Sequence, residues 1–405
     1  MLESAMNQIG AMVEKLADKQ RNQKKQESEG PDRDEHRKRD IGGHGQLLNI
    51  ELQRRSILLR LRAIALALRG PPTLIERSYS PERLYNNRKM KVLYLKEADV
   101  ERLVAVPEVI DVLDQAFRDQ ATGRAFTNPR TRLRMRGGTL HMMAAAIPGY
   151  FGYKAYTVAA GKARFQFFLF EAQTAELVAI MEADRLGQIR TGAATGLATR
   201  ILSNPDAAEA AIFGTGWQAE TQLLAMDAVR NLKRVWVVNR SPERRETFIA
   251  KMQDHVKARI APAGSAEQAV RSSQIVTAIT SSREPVFRGE WVHAGQHINA
   301  VGGNMLLRRE IDDETLLRAH RIVVDSLDQA KNEAGEFLGV IETGRLHWED
   351  FVELRDLAAG WKPGRTSSED ITLFKSQGLA LEDVAIGKLV YERALERGMG
   401  ARLEI

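Results

Sequence analysis

The sequence predicts an α/β fold, with a parallel sheet covered by helices on both faces and joined to a mixed α+β region. Three observations carry this. Between residues 208 and 326 short apolar runs alternate with helix-like segments. The runs are apolar almost throughout, as strands buried on both faces are. One of them ends in a glycine-rich turn, "IFGTGWQA", that opens a helix.

Taken in order, the chain changes character at Met90. Residues 1–89 hold 18 Lys and Arg against 12 Asp and Glu, which accounts for the whole formal excess of +6. The stretch "KQRNQKKQESEGPDRDEHRKRDIGGHGQ" has little apolar surface to set against the entropy of ordering. "SILLRLRAIALALRGPP" reads as a short amphipathic helix with a Gly-Pro-Pro stop. We expect 1–89 to be a poorly structured extension lying before the true start of the folded protein. The remaining 316 residues carry 41 basic and 41 acidic side chains, so their count offers no electrostatic footprint for nucleic acid. No apolar run reaches the length of a membrane span, and no signal peptide is read. With no cysteine there is no disulfide framework or thiolate metal site. A cytoplasmic location is the expectation.

From "MKVLYLKEADVERLV" on, a strand and helices lead into short strand-like pieces with Gly-containing turns, which fit an antiparallel or mixed sheet. "RLGQIRTGAATGLATRIL" reads as a long helix crossing to the next region. The expected organisation is a first domain over 90–205, a parallel-sheet domain over 206–330, and mostly helical residues over 331–405 returning to the first domain.

The turn at 214–219 follows a strand and opens a helix, which is the context of a dinucleotide-binding fingerprint. Gly214 permits the tight turn, Gly216 lets the backbone approach a pyrophosphate, and Ala219 allows close helix–strand packing. Free N–H groups at the helix start attract phosphates. The domain is therefore read as a Rossmann dinucleotide-binding unit, with Gly214, Thr215, Gly216, Trp217, Gln218 and Ala219 against the cofactor. The second strand ends in Asn239, Arg240 and Ser241 rather than in an acid for a ribose 2′-hydroxyl. That favours NADP over NAD.

These segments, together with "NPRTRLRM", "FGYKAYT", "IRTGAATGLAT", "HINAVGGN", "REIDDE" and "LFKSQGLALED", resemble the ornithine cyclodeaminase/mu-crystallin family. That family also contains archaeal-type alanine dehydrogenase and ketimine reductases. The resemblance covers about 90–405. It implies a homodimer with a substrate/dimerisation domain beside the Rossmann domain. It also implies an NAD(P)-dependent reaction at the C–N bond of a small α-amino or imino acid.

By the same resemblance, Lys154 lies by the nicotinamide and the substrate nitrogen. Placed among aromatic residues it is expected to have a lowered pKa suited to proton transfer. Arg130 and Arg190 match the two arginines that hold the substrate carboxylate, for which the guanidinium fork is well made. The small residues after Arg190 would let a ligand approach closely, and Thr191 is read as a cofactor-phosphate contact. Val301 and Ser376 are placed at the cofactor cleft, with Lys375 and Ser376 in a turn before a helix that Asp383 is read as capping. Asp325, at the end of "RIVVD", stands where open α/β sheets bind ligands. Two positions depart from the cyclodeaminase pattern. Acids are expected where this chain has Asn304 and His141. Asn304 would hydrogen-bond the ligand without exchanging a proton, and His141 would serve as a proton donor. Ring closure is thereby disfavoured. Reduction of an imine or dehydrogenation of an amino acid is the first reading. An ornithine or lysine cyclodeaminase and a non-catalytic NADPH-dependent binding protein are the alternatives. His293 and His297 fall in a turn and a strand, so no metal site is expected.

Overall fold

The structure, a computed structural model, describes residues 91–405. The expectations for 1–89 lie outside the described residues. Strand β1 (Lys91–Leu95) is followed by helices α1 (Glu97–Leu103) and α2 (Val106–Ala121). Val109, Ile110, Leu113 and Phe117 of α2 are buried, the spacing of one apolar helical face. Strands β2 (Phe126–Thr127), β3 (Thr131–Met135), β4 (Gly138–Ile147), β5 (Tyr150–Ala159), β6 (Lys162–Glu171) and β7 (Leu177–Glu182) follow. They form a mixed sheet in which β4, β5, β6 and β7 are successive antiparallel neighbours and β1 lies parallel to β7.

Helix α3 (Asp184–Leu202) then crosses between the two sheets. Leu186 through Thr199 are all buried, so the helix is packed on every side. Its small residues serve this packing rather than a ligand. A Cβ on Gly192 would lie 2.5 Å from the carbonyl oxygen of Thr221, and one on Gly196 would lie 2.7 Å from Ile110 Cδ1. Arg190 lies well inside this helix.

The second sheet is entirely parallel. Its elements are β8 (Glu209–Phe213), α4 (Trp217–Val229), β9 (Arg234–Val238), α5 (Pro242–Met252), β10 (Arg259–Pro262), α6 (Ala266–Arg271), β11 (Ile275–Ala278), β12 (His297–Ala300), α7 (Asp313–Arg318), β13 (Arg321–Val324), α8 (Leu327–Glu333), β14 (Phe351–Glu353) and β15 (Thr372–Lys375). The spatial order is β10-β9-β8-β11-β12-β15-β13-β14. Strand order reverses beside β8, which places a crevice at its carboxyl end.

The boundary expected at 330 is corrected here. Residues 331–405 supply two strands to the parallel sheet, and β15 sits between β12 and β13 instead of at an edge. Only α9 (Ala380–Arg397) and β16 (Ala401–Glu404) return to the first sheet, β16 pairing with β1. Helix α9 packs on the inner face of β4, β5 and β6. Phe167 of β6 is gripped there: a Cβ on Gly387 would come within 2.2 Å of its ring. Burying such a ring contributes roughly 1.5–3 kcal/mol.

Candidate active site

The glycine turn is built from the backbone. Gly214 ends β8 at φ +107°, and a Cβ there would lie 2.4 Å from the carbonyl oxygen of Ile279. No other residue fits that position without strain. Around Gly216 nothing stands within 4 Å of where a Cβ would be, so the backbone is open to a ligand. Gly216 is the N-cap of α4, and no side chain caps the helix. Gln218 Oε1 is buried without a partner. An uncapped helix start beside an open glycine fits the pyrophosphate of a dinucleotide.

The neighbouring strand end braces this turn. Asn239 Nδ2 donates to Thr215 Oγ1 at 2.6 Å, and Asn239 Oδ1 accepts from the Ser241 N–H at 2.8 Å. Ser241 Oγ caps α5 by accepting from the Arg244 N–H. Arg240 is exposed and has no carboxylate partner among the described residues. Trp217 is 46% exposed, with the Arg185 guanidinium 5.4 Å above its ring, so its side chain is engaged toward α3. Val301 and Ser376 follow β12 and β15 at the same carboxyl edge, both buried. The Thr191 hydroxyl donates to the Gly187 carbonyl within α3.

The mixed sheet supplies the opposite wall. Lys154 lies in the middle of β5, opposite Met143 on β4 and Phe167 on β6. Those two side chains desolvate it. Tyr153, the aromatic neighbour in sequence, faces the other side of the sheet and stacks on Phe168. Lys154 is 2% exposed, and its Nζ donates to Asp383 Oδ1 at 2.6 Å. Burial lowers its pKa to about 8 against the pull of Asp383, with Arg190 and Arg130 adding to the fall. Asp383 is its one acceptor among the described residues, so further ammonium protons remain for a ligand. Removing one partner would strand a buried charge, at a cost on the order of 3–5 kcal/mol.

Asp383 therefore does not cap its helix. The N-cap of α9 is Leu379, and the Glu382 and Asp383 side chains turn into the cleft. Glu382 Oε2 accepts from Arg190 Nη1 at 2.9 Å. Arg190 Nε is 3.3 Å from Asp383 Oδ1 but poorly aligned for a hydrogen bond. Arg190 Nη2 has no acceptor among the described residues and is left for a carboxylate. Burial pushes Glu382 up to about 7, opposed by Arg190 and aided by Asp325 and Asp383. Gly378 lies directly over Arg190, with φ +81° and a would-be Cβ 2.2 Å from Nη1. Asp325 fixes that loop by accepting from the Gln377 and Gly378 N–H groups, both at 2.6 Å, and from Ser376 Oγ.

Arg130 is largely spoken for. Its Nη1 donates to Glu333 at 2.5 Å, its Nη2 to the carbonyls of Gln377 and Gly378, and its Nε to Met143 Sδ. One Nη1 hydrogen is left. Arg132 shares Glu333 and donates to the carbonyl of Asn304 at 3.1 Å. Asn304 is thus held at the cleft by its backbone. Glu310 braces the same loop by accepting from the Gly302 and Gly303 N–H groups. His141 stacks on Tyr156 at 4.2 Å, and its Nδ1 is buried without a partner. Burial and the charges of Arg132, Arg130 and Arg134 lower its pKa to about 4. That shift favours the neutral ring over the imidazolium. The neutral ring offers a hydrogen bond.

Helix α3 joins the two walls. Gly187 faces Lys154 Nζ, and the next residue, Gln188, donates to the carbonyl of Trp217 at the start of α4. No local sequence pattern marks Glu382, Glu333 or Glu310 as site residues, and Asp383 turns into the cleft where a helix cap was expected.

A parallel sheet with a glycine turn at its switch point, faced by a buried lysine on a second sheet, defines a Rossmann-type protein with a charged wall opposite the turn. The chain belongs to the ornithine cyclodeaminase/mu-crystallin family, whose model matches residues 90–398. Alanine dehydrogenase of Archaeoglobus fulgidus is 35% identical over 324 residues, covering 78% of this chain and 99% of that protein. The Δ1-pyrroline-2-carboxylate reductase of Thermococcus litoralis, solved with NADH and L-proline, superposes with a TM-score of 0.73 at 33% identity. It covers 77% of this chain and 100% of its own. An archaeal alanine dehydrogenase dimer with bound NAD gives 0.74 at 33% identity, covering 78% of this chain and 100% of its own.

Proposed function

We propose that the protein is an NAD(P)-dependent oxidoreductase of the C–N bond of a small α-amino or α-imino acid. The observation that carries this is the buried Lys154–Asp383–Arg190 cluster facing, across α3, the uncapped start of α4. Similarity to a pyrroline-2-carboxylate reductase and an alanine dehydrogenase supports it. Gly214 to Ala219 would hold the dinucleotide's pyrophosphate and Asn239 to Ser241 its ribose, while Thr191 would meet a cofactor phosphate and Val301 and Ser376 would stand at the cofactor cleft. When bound, it supplies or takes the hydride.

The chain's own residues do the rest. Arg190, through its open Nη2, binds the substrate carboxylate, and the remaining Arg130 hydrogen adds to this. In reduction, Lys154 as the ammonium gives a proton to the substrate nitrogen. In oxidation, the neutral amine takes it back. Met143 and Phe167 keep water from Nζ. Neither Asn304 nor neutral His141 offers a carboxylate for a side-chain amine, so the reading is oxidoreductase rather than cyclodeaminase.

NADP is favoured by exposed Arg240 and by the absence of an acid at 239. Both solved relatives carry the form without the 2′-phosphate, so the preference rests on those residues of this chain. A homodimer is part of the proposal. On the outer face of the first sheet, Phe151 stacks on Phe170 and Tyr153 on Phe168, all half-buried and uncovered among the described residues. A second copy is the occupant proposed, since one solved relative is a dimer. No helix among the described residues is long and apolar enough to cross a membrane.

The test is NADPH and NADH oxidation against cyclic imines and against α-keto acids with ammonia, with ornithine in a parallel ring-closure assay. Consumption with imino or keto acids supports the reading. Proline formed from ornithine without net cofactor change would replace it with a cyclodeaminase. Saturable ligand binding with no turnover across the panel would replace it with a binding protein.

A further inference from the structure

Positions 141 and 304 carry His and Asn, neither of them a carboxylate. The buried carboxylate that reaches Lys154 comes instead from the first turn of α9. We propose that Asp383 is a positioning residue for the reaction: its Oδ1 holds the Lys154 ammonium in the cleft and sets the pH at which that ammonium gives up its proton. This rests on the reading of Lys154 as the proton-transferring group.

The contact is short and fully buried, with Nζ 2.6 Å from Oδ1 and the two side chains 2% and 0% exposed. The charged groups around Lys154 come from several elements. Helix α9 presents Asp383 and Glu382, α3 presents Arg190 and Asp184, and the segment before β3 presents Arg130. Asp325, beyond β13, acts on Arg190 and Glu382. His141 on β4 is neutral. Glu382 is tied to Arg190, and Asp325 is tied to the 376–378 loop. Among the described residues this leaves Asp383 as the one carboxylate in contact with Nζ, opposed by two guanidinium charges and by burial. The Asp383 Oδ2 atom is buried without a hydrogen-bond partner, and the other charge beside this carboxylate is Arg190, whose Nε stands 3.3 Å from Oδ1 without the alignment of a hydrogen bond. In the step itself one proton passes from Nζ to the substrate nitrogen and Lys154 is left as the neutral amine. Asp383 neither gives nor takes a proton in this step, and Lys154 regains its proton from water that enters by the ligand's side of the cleft once the product has left.

The experiment uses the full chain without cofactor or substrate. Lys154 is labelled by reductive methylation with formaldehyde and a borane across a pH series, and its modification is read by mass spectrometry. In Asp383→Asn the ammonium loses its counter-charge, so the midpoint moves to lower pH, by about one unit or more. The limb of the activity profile that belongs to Lys154 moves the same way. Asp383→Glu keeps the charge and restores the midpoint. An unmoved midpoint in folded Asp383→Asn overturns the proposal, as does an Asp383→Glu protein that behaves like the Asn variant. Should the Asn variant not fold by circular dichroism, Asp383→Ser carries the same measurement. A moved midpoint in a protein that turns over no imino acid would uphold the pairing and sink the proposed reaction. Turnover with an unmoved midpoint would do the reverse.

Discussion

The two walls of the cleft are made in different ways. The wall beneath the glycine turn is built of backbone: a left-handed Gly214, an open Gly216 and an uncapped helix start, all within six residues. The facing wall is built of side chains, with Lys154, Arg190, Asp325, Glu382 and Asp383 brought from strands and helices far apart in sequence. A backbone site tolerates changes of side chain but not of Cα geometry. A charge cluster tolerates neither loss nor gain of a single charge, because each partner is buried. The two walls should therefore fail independently and in different observables.

The largest effect is expected at Lys154. Lys154→Ala should lower turnover by roughly 10²–10⁴-fold, the usual worth of a proton-transferring group. Cofactor binding, followed by nicotinamide fluorescence, should be unchanged. Normal turnover would falsify the assignment of the wall. Gly214→Val should do the opposite. A Cβ at φ +107° against the Ile279 carbonyl forces the turn open, so dinucleotide affinity should drop on the order of 100-fold, with about 1–3 kcal/mol of stability lost. Lys154 labelling should keep its midpoint. A shifted midpoint in that variant would mean the walls are coupled.

A smaller effect is the pH dependence. Reduction needs Lys154 protonated, so with a pKa lowered to about 8 its rate should fall as pH rises through about 8, and oxidation should rise over the same range. Identical profiles in both directions would contradict this. The smallest effect is at the ribose end. Arg240→Glu should reduce the ratio of kcat/KM for NADPH to that for NADH several-fold, in line with one exposed charge contact. An unchanged ratio would place the discrimination elsewhere.

The same contrast decides what could be read from the sequence. The β8–α4 turn was legible because its signal is local and backbone-determined: glycines at fixed spacing after an apolar strand. Lys154 and Arg190 were found through the family motifs, but their partners were not. Asp383 follows Leu379 by four residues and looks like part of an acidic first turn, which in most helices faces solvent. Here the close seat of α9 on Phe167 and Gly387 turns that end of the helix into the cleft. Strand β15 was missed because four buried residues carry no period, and its neighbours β12 and β13 lie dozens of residues away. The run after Arg190 was legible as small, but its purpose depends on Thr221 and Ile110, which only the packing of α3 brings near.

The insertion of β15 between β12 and β13 has a consequence for how the molecule is made. A chain still growing on the ribosome at residue 370 has the strands on either side of that gap but nothing to fill it, and the carboxylate for Lys154 is not yet synthesised. The gap lies inside the sheet, not at its rim. Early termination there would remove an interior strand and expose two apolar, unpaired neighbours, an invitation to wrong pairing with other chains. The closing thirty-five residues thus complete the sheet and arm the cleft in one event, so this fold cannot build its cofactor half first and acquire its chemistry later.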